Sequence, residues 1–229
     1  MRAWTVLDQV RTPDGLLELR QRAADDFLIT VDGRVLMNSR AHRSEVGLAR
    51  LGCRGLEGPV PVVLIGGLGM GYTLRAALDC LPADARVVVA ELNPCVRQWC
   101  EGPLAALTAN AARDPRVEIR IEDVAQTIAA AGGESRFAAI LLDLYEGPGT
   151  GDLRDHPLYG RTILRAIRRA IAPGGRLAVW SEEPSAAYER NLRATGFEVM
   201  RRRLGRGGLR HAVYLATAMA AVPTSGRPT

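Results

Sequence analysis

From Pro61 onward the chain alternates short apolar runs with amphipathic segments, and this alternation restricts the fold more than any other feature. Apolar runs fall at 62–66, 86–91, 116–121, 138–143 and 176–180. Helix candidates lie at 72–80, 94–108, 123–131, 157–171 and 184–194. Strands separated by helices are joined by crossovers, which gives a parallel sheet with helices on both faces. The runs are nearly continuous in Val, Ile, Leu and Ala, as strands covered on both faces require. Two last strand candidates, 196–203 and 211–217, have only the Gly205–Gly208 region between them and are expected to pair as a hairpin. The expected fold is α/β, a doubly wound Rossmann-like sheet closed by a C-terminal antiparallel hairpin.

The N-terminal part reads differently. Pro13-Asp14-Gly15 and Asp32-Gly33 are turn signals. Strand candidates at 16–20, 27–31 and 34–37 flank them, so residues 1–40 are expected to form a small antiparallel β segment. Residues 41–60 supply a short helix from Ser44 and a Gly/Pro linker, 61–220 the α/β domain, and 221–229 a flexible tail.

Composition excludes several classes. At 229 residues, 47% hydrophobic and 24% charged, the chain has enough apolar material for a packed core. No apolar run approaches the roughly 20 residues of a membrane helix, and the N-terminus lacks the apolar stretch of a signal peptide, so a cytoplasmic protein is expected. All 30 basic residues are arginine. Their one dense run, Arg201-Arg202-Arg203-Leu204-Gly205-Arg206, has no interleaved aromatics and reads as a solvated strand end rather than a nucleic-acid surface. The four cysteines and three histidines form no zinc spacing, so no metal is expected.

Ligands of such sheets sit beyond the carboxyl ends of the strands, so the residues closing each strand carry the functional argument. After the first strand come Gly66, Gly67, Gly69 and Gly71. Their backbone permits close approach of a ligand, and the next helix offers free N–H groups. A nicotinamide G-x-G-x-x-G would need glycine at Tyr72, so that fingerprint fails. The alternative is a tight turn with packing glycines. Glu91 closes the next strand 20 residues after Gly71, the spacing of a ribose-binding acid. Asp123 is placed either to accept from an adenine amino group, with Val124 against the ring, or to cap the following helix. Asp143 closes the fourth strand and leads into an irregular loop carrying Tyr145 and Glu146. Carboxylates in a partly dry cleft hold cations and take protons; helix capping or loop hydrogen bonding is the alternative.

Five alternating strands with a terminal hairpin are the layout of class I S-adenosylmethionine-dependent transferases. Within that group the chain resembles the spermidine synthase (polyamine aminopropyltransferase) family from about Asp32 to Leu177. The resemblance is carried by Val31–Ser39 and Glu45 onward, by Leu64-Ile65-Gly66-Gly67 with Thr73-Leu74-Arg75, by Ala90-Glu91-Leu92-Asn93-Pro94, and by Asp114-Pro115-Arg116-Val117-Glu118 with Glu122-Asp123. Ala172-Pro173-Gly174-Gly175 is shared with many class I methyltransferases. Typical methyltransferases carry an acid at the position of Ile65, and this chain follows the aminopropyltransferases there. The resemblance implies a co-substrate, decarboxylated S-adenosylmethionine or S-adenosylmethionine, a small-molecule amine acceptor and a homodimer. It assigns Gly66, Gly67, Gly69, Gly71, Glu91 and Asp123 to the nucleoside. It makes Asp143 the catalytic carboxylate, with Tyr145 and Glu146 beside it. Two departures stand out. The family's loop aspartate, which holds the donor ammonium, falls on Gly69 or Met70. Its Asp-Ser-Ser/Thr-Asp-Pro run is replaced by Asp143-Leu144-Tyr145-Glu146-Gly147-Pro148. The expected function is aminopropyl transfer with release of methylthioadenosine. The alternatives are S-adenosylmethionine-dependent methyl transfer to a small molecule, and a catalytically weak nucleoside-binding protein.

Overall fold

The computed structural model describes residues 3–56, 60–131, 137–145, 147–149, 153–204 and 211–219. Glu146, most of the last hairpin turn and the tail 221–229 lie outside the described residues. The chain opens with four strands, β1 (Thr5–Thr12), β2 (Gly15–Ala23), β3 (Asp26–Val31) and β4 (Arg34–Asn38), paired in sequence order as an antiparallel sheet. Helix α1 (Arg43–Cys53) follows. Then come β5 (Val62–Gly66), α2 (Tyr72–Cys80), β6 (Arg86–Glu91), α3 (Pro94–Glu101), β7 (Val117–Ile121), α4 (Val124–Ala130), β8 (Phe137–Leu142), α5 (Arg161–Ala170), β9 (Ile171–Ser181), α6 (Ala186–Ala194), β10 (Phe197–Leu204) and β11 (His211–Ala218).

The second sheet has seven strands in the order β10-β11-β9-β8-β5-β6-β7. Strands β5 to β9 are parallel, and β11 runs antiparallel between β9 and β10. The alternation and the closing hairpin seen in the sequence are thus the architecture. Strand β5 is flanked by β6 on one side and β8 on the other. The winding direction reverses there, and a crevice opens beyond the strand tips.

Side chains alternate across β5: Val63 and Ile65 enter the core cluster that includes α1, α2 and α3, while Leu64 enters the cluster built on α4, α5 and α6. Both faces are therefore covered. Ile140, Leu141 and Leu142 of β8 are 0–1% exposed. Burial of each such side chain contributes about 1.5–3 kcal/mol, which explains the unbroken apolar run.

Two helices differ from the sequence expectation. The helix expected over 94–108 ends at Glu101, because Gly102-Pro103 removes helix propensity and one backbone donor, and the chain continues as short 3-10 turns at Ala105–Thr108 and Ala111–Arg113. The helix expected over 157–171 starts at Arg161. Of the arginine run, Arg201, Arg202 and Arg203 sit exposed on β10, Arg201 pairing with Glu189 at 3.0 Å; Gly205 and Arg206 lie outside the described residues. Among the described residues no helix is long and apolar enough to cross a membrane.

The N-terminal sheet is tied to the α/β body by polar anchors. Trp99 Nε1 of α3 donates to Asp8 Oδ2 of β1 at 2.7 Å. Tyr72 Oη donates to the Ser39 carbonyl at 2.9 Å, and the His42 and Tyr72 rings stack with centroids 4.0 Å apart. These contacts place the apolar face of the small sheet over the strand tips of the large one.

Candidate active site

A cavity of about 400 Å³ opens between the two sheets. Its floor is the tips of β5, β6 and β8 with the loop after β7. Its roof is Leu17, Ile29, Val31, Leu36 and Met37 of the N-terminal sheet. Of the sequence-selected residues, Gly67, Gly69, Glu91, Asp123, Asp143 and Tyr145 line it together. Gly66 and Gly71 stay outside the wall. Gly66 ends β5, where an added Cβ would come within 2.9 Å of Val124 Cγ2. Gly71, at φ 81, precedes α2, and its carbonyl accepts from the Arg75 N–H at 2.9 Å. Their glycine identity shapes the loop rather than contacting the cavity.

The glycine loop is held open from below. Gly67 adopts φ 87, donates to the Ala90 carbonyl at 2.8 Å, and has its Cα facing the Asp143 carbonyl so closely that a Cβ would sit 2.4 Å from it. A side chain at this position would force the β5 and β8 tips apart. Gly69, at φ 51, faces Met37, whose sulfur would lie 2.6 Å from an added Cβ. The thioether therefore fills the space beside the loop, and the roof is apolar there.

Glu91 is buried and does two things at once. Oε2 accepts from the Leu68 N–H and Oε1 from the Asn93 N–H, both at 2.9 Å. It braces the glycine loop against the turn after β6 while facing the cavity, and each oxygen keeps a second lone pair for a donor such as a ribose hydroxyl. Replacing Glu91 with Ala is expected to leave two backbone N–H groups without acceptors and to lower stability by about 2–4 kcal/mol, with Glu91→Gln intermediate. Urea melts of the two variants check this. Equal stability of both with the parent would remove Glu91 from the loop's support.

Asp123 caps α4, its Oδ1 accepting from the Ala125 N–H at 2.8 Å, and it also borders the cavity with Glu122 and Val124. The two sequence alternatives for this residue are geometrically compatible, because capping occupies one oxygen only. Leu92 and Leu144 add apolar surface to the cavity.

Asp143 lines the same cavity at the tip of β8. Its N–H donates to the Gly66 carbonyl at 2.9 Å, and Thr73 Oγ1, at the start of α2, donates to its Oδ2 at 2.6 Å. Desolvation by the surrounding residues, reinforced by the nearby negative charge of Glu45, pushes the carboxyl up to about 7; the Thr73 hydrogen bond acts in the other direction. Asp143 thus holds a proton far above the usual carboxylate range. Tyr145, two residues on, is half exposed at the rim, and the Arg34 guanidinium of β4 lies 5.1 Å from its ring centroid. Glu146 lies outside the described residues.

Two cavity residues escaped sequence reasoning. Glu45 sits in the first turn of α1, buried and facing the cavity. Trp180 of β9 lines it too, with its ring edge-on to His211 at 4.8 Å. Glu45 lies in a stretch that carries the resemblance but closes no strand, and no local motif marks Trp180. Only the packing of α1 against the sheet, and the insertion of β11 beside β9, bring them there. Among the described residues no group of three or more His, Cys, Asp or Glu side chains is arranged to hold a metal ion.

No family model matches the chain. A polyamine aminopropyltransferase from Nitrosomonas europaea is 34% identical to it over 128 residues, a match that covers 55% of this chain and 36% of that protein. The chain therefore spans little more than a third of that relative's length. By fold it is similar to a spermidine synthase solved in complex with the transition-state analogue AdoDATO, with a TM-score of 0.70 and 17% identity over 93% of this chain and 72% of that one. The spermidine synthase from Thermotoga maritima gives a TM-score of 0.70 and 18% identity over the same shares. The matched part is thus similar in sequence to a polyamine aminopropyltransferase, and the chain has the fold of the spermidine synthases, a class I methyltransferase-like α/β architecture.

Proposed function

We propose that the protein is a transferase that moves an aminopropyl group from decarboxylated S-adenosylmethionine to a small-molecule amine, releasing methylthioadenosine. One observation carries the reading: a carboxyl with its pKa raised to about 7, Asp143, lies in the same cavity as the buried Glu91 and the glycine loop. In the proposed complex Glu91 accepts from the ribose hydroxyls. Asp123 and Val124 face the adenine, and Leu92 and Leu144 bound the nucleoside.

The reaction needs a neutral amine in line with the C–S bond. The nitrogen lone pair forms the new C–N bond as the C–S bond breaks. The bonding electrons go to sulfur, which changes from sulfonium to neutral thioether. The proton lost from nitrogen passes to Asp143. A base whose pKa lies near the operating pH suits that transfer, and the cavity between the two sheets supplies positioning. The base works only as the carboxylate. The activity kcat/KM is therefore expected to rise with pH and level off above about pH 7. Removing the Thr73 hydroxyl, which lowers this pKa, is expected to move the limb upward. A profile flat from pH 5 to 8 would exclude Asp143 as the titrating base.

A second reading, methyl transfer from S-adenosylmethionine, is favoured by the thioether of Met37 beside Gly69, where the loop presents no acid to a donor ammonium. Incubation with each donor and a panel of amines, followed by mass spectrometry, separates the two. Methylthioadenosine with an aminopropylated amine supports the first. S-adenosylhomocysteine with a methylated product supports the second and sinks the first.

A further inference from the structure

On the transferase reading above, we infer that Glu45 and Asp143 form one clamp for a single alkylammonium group, with Glu45 a substrate-binding residue supplied by α1. Glu45 is 9% exposed and faces the cavity. Its Oε2 accepts from Ser44 Oγ at 2.7 Å, and Oε1 has no hydrogen-bond partner among the described residues. Ser44 Oγ is in turn 3.0 Å from His211 Nδ1 on β11, so the carboxylate is held from behind. Thr73 Oγ1 donates to Asp143 at 2.6 Å and lies 3.4 Å from the Glu45 backbone carbonyl. One hydroxyl thus sits between the Asp143 carboxylate and the α1 backbone that carries Glu45.

Neither carboxylate has an ion-pair partner among the described residues. The nearby charge of Glu45 disfavours the ionised form of Asp143, and a buried charge is stable only when paired and hydrogen-bonded. An alkylammonium group satisfies both requirements, since it carries one positive charge and up to three N–H donors. The apolar roof of Ile29, Val31 and Met37 suits the methylene chain behind the nitrogen. Among the described residues no third acidic side chain joins these two in a metal-binding group. The ammonium can be the donor's aminopropyl terminus or the acceptor amine. Both present the same chemistry to the clamp.

Equilibrium binding distinguishes these sources without requiring turnover. Methylthioadenosine, which lacks the aminopropyl group, serves as the reference for decarboxylated S-adenosylmethionine in titration calorimetry. If the clamp holds the donor, the parent protein binds decarboxylated S-adenosylmethionine at least about tenfold more tightly than methylthioadenosine. Glu45→Gln then erases that preference and leaves methylthioadenosine affinity within about twofold. If it holds the acceptor, the parent shows no such preference but binds 1,4-diaminobutane when loaded with methylthioadenosine, and Glu45→Gln weakens that binding at least about tenfold. Glu45→Asp restores part of the loss in either case. The clamp is overturned if Glu45→Gln changes neither affinity, or weakens methylthioadenosine as much as the cationic ligand. Failure of the parent protein to bind methylthioadenosine at all would instead remove the nucleoside-transferase reading, and the clamp with it.

Discussion

Asp143→Asn is expected to reduce turnover by about 10²–10⁴-fold, the range of a lost general base, while methylthioadenosine affinity stays near its original value. The amide keeps the size of the side chain and an oxygen for the Thr73 hydroxyl, so the strand tip should keep its shape. The same substitution should stabilise the fold at neutral and alkaline pH. The carboxyl titrates near 3.8 when unperturbed and at about 7 in the fold. A raised carboxylate pKa means that the folded state resists ionisation. The penalty is absent below about pH 4, grows between 4 and 7, and is complete above 7. Its upper limit is on the order of 4 kcal/mol, from about three units at 1.36 kcal/mol each. Thermal melts of parent and variant should coincide at pH 4 and diverge by pH 8, with the variant more stable. A variant that turns over at the parent rate would end the assignment of Asp143 as base. Melts with no pH-dependent gap would show that the carboxyl is not desolvated.

The second large effect is expected at Gly67. Replacement by alanine asks a residue with a Cβ to hold φ 87, which costs about 1–2 kcal/mol. It also places that carbon 2.4 Å from the Asp143 carbonyl oxygen. The obstacle is backbone, not a movable side-chain end, so β5 and β8 must separate locally. Gly67→Ala is therefore expected to abolish nucleoside binding and turnover together and to lower the melting temperature by more than the φ term alone. Gly33 is the matching control: it has φ 80 in the β3–β4 turn, with nothing within 4 Å of an added Cβ. Gly33→Ala should show only the conformational cost and retain binding. If the two variants behave alike, the close approach of loop and strand tip is not what constrains Gly67.

The parts of this structure that could be read from the sequence are those set by local pattern. Five apolar runs and their intervening helices announce the sheet, and the acidic residues at their ends fall where the crevice lies. Glu91, Asp123 and Asp143 could be selected because each closes a strand or lies within two residues of its end, and strand ends are legible. Strand β1 was not, because most of Thr5–Thr12 is exposed and its Val, Leu, Asp and Arg residues do not alternate in a half-buried manner. Its position comes from pairing with β2 and from the Asp8–Trp99 hydrogen bond, a contact across 91 residues. Glu45 illustrates the larger difficulty. In sequence it is one acid in the first turn of a helix, the position where acids commonly favour the helix dipole. Its burial follows from α1 packing beside α2 and the sheet, and from a serine held by a residue 167 positions away. The apolar roof was equally hidden, since nothing in residues 16–37 states which surface they will cover.

The placement of β11 has a consequence for how the protein is made. Synthesis proceeds from the N-terminus, and all other strands have left the ribosome before His211–Ala218 appear. Yet β11 is an interior strand, paired with β9 on one side and β10 on the other. Until it emerges, β9 is an open edge, and β10 has no place in the sheet. Ser44, made early, also waits for His211 to hold it in place. The nascent chain can thus assemble the crevice at the tips of β5, β6 and β8, but the frame around Glu45 is completed only when β11 joins β9 and β10.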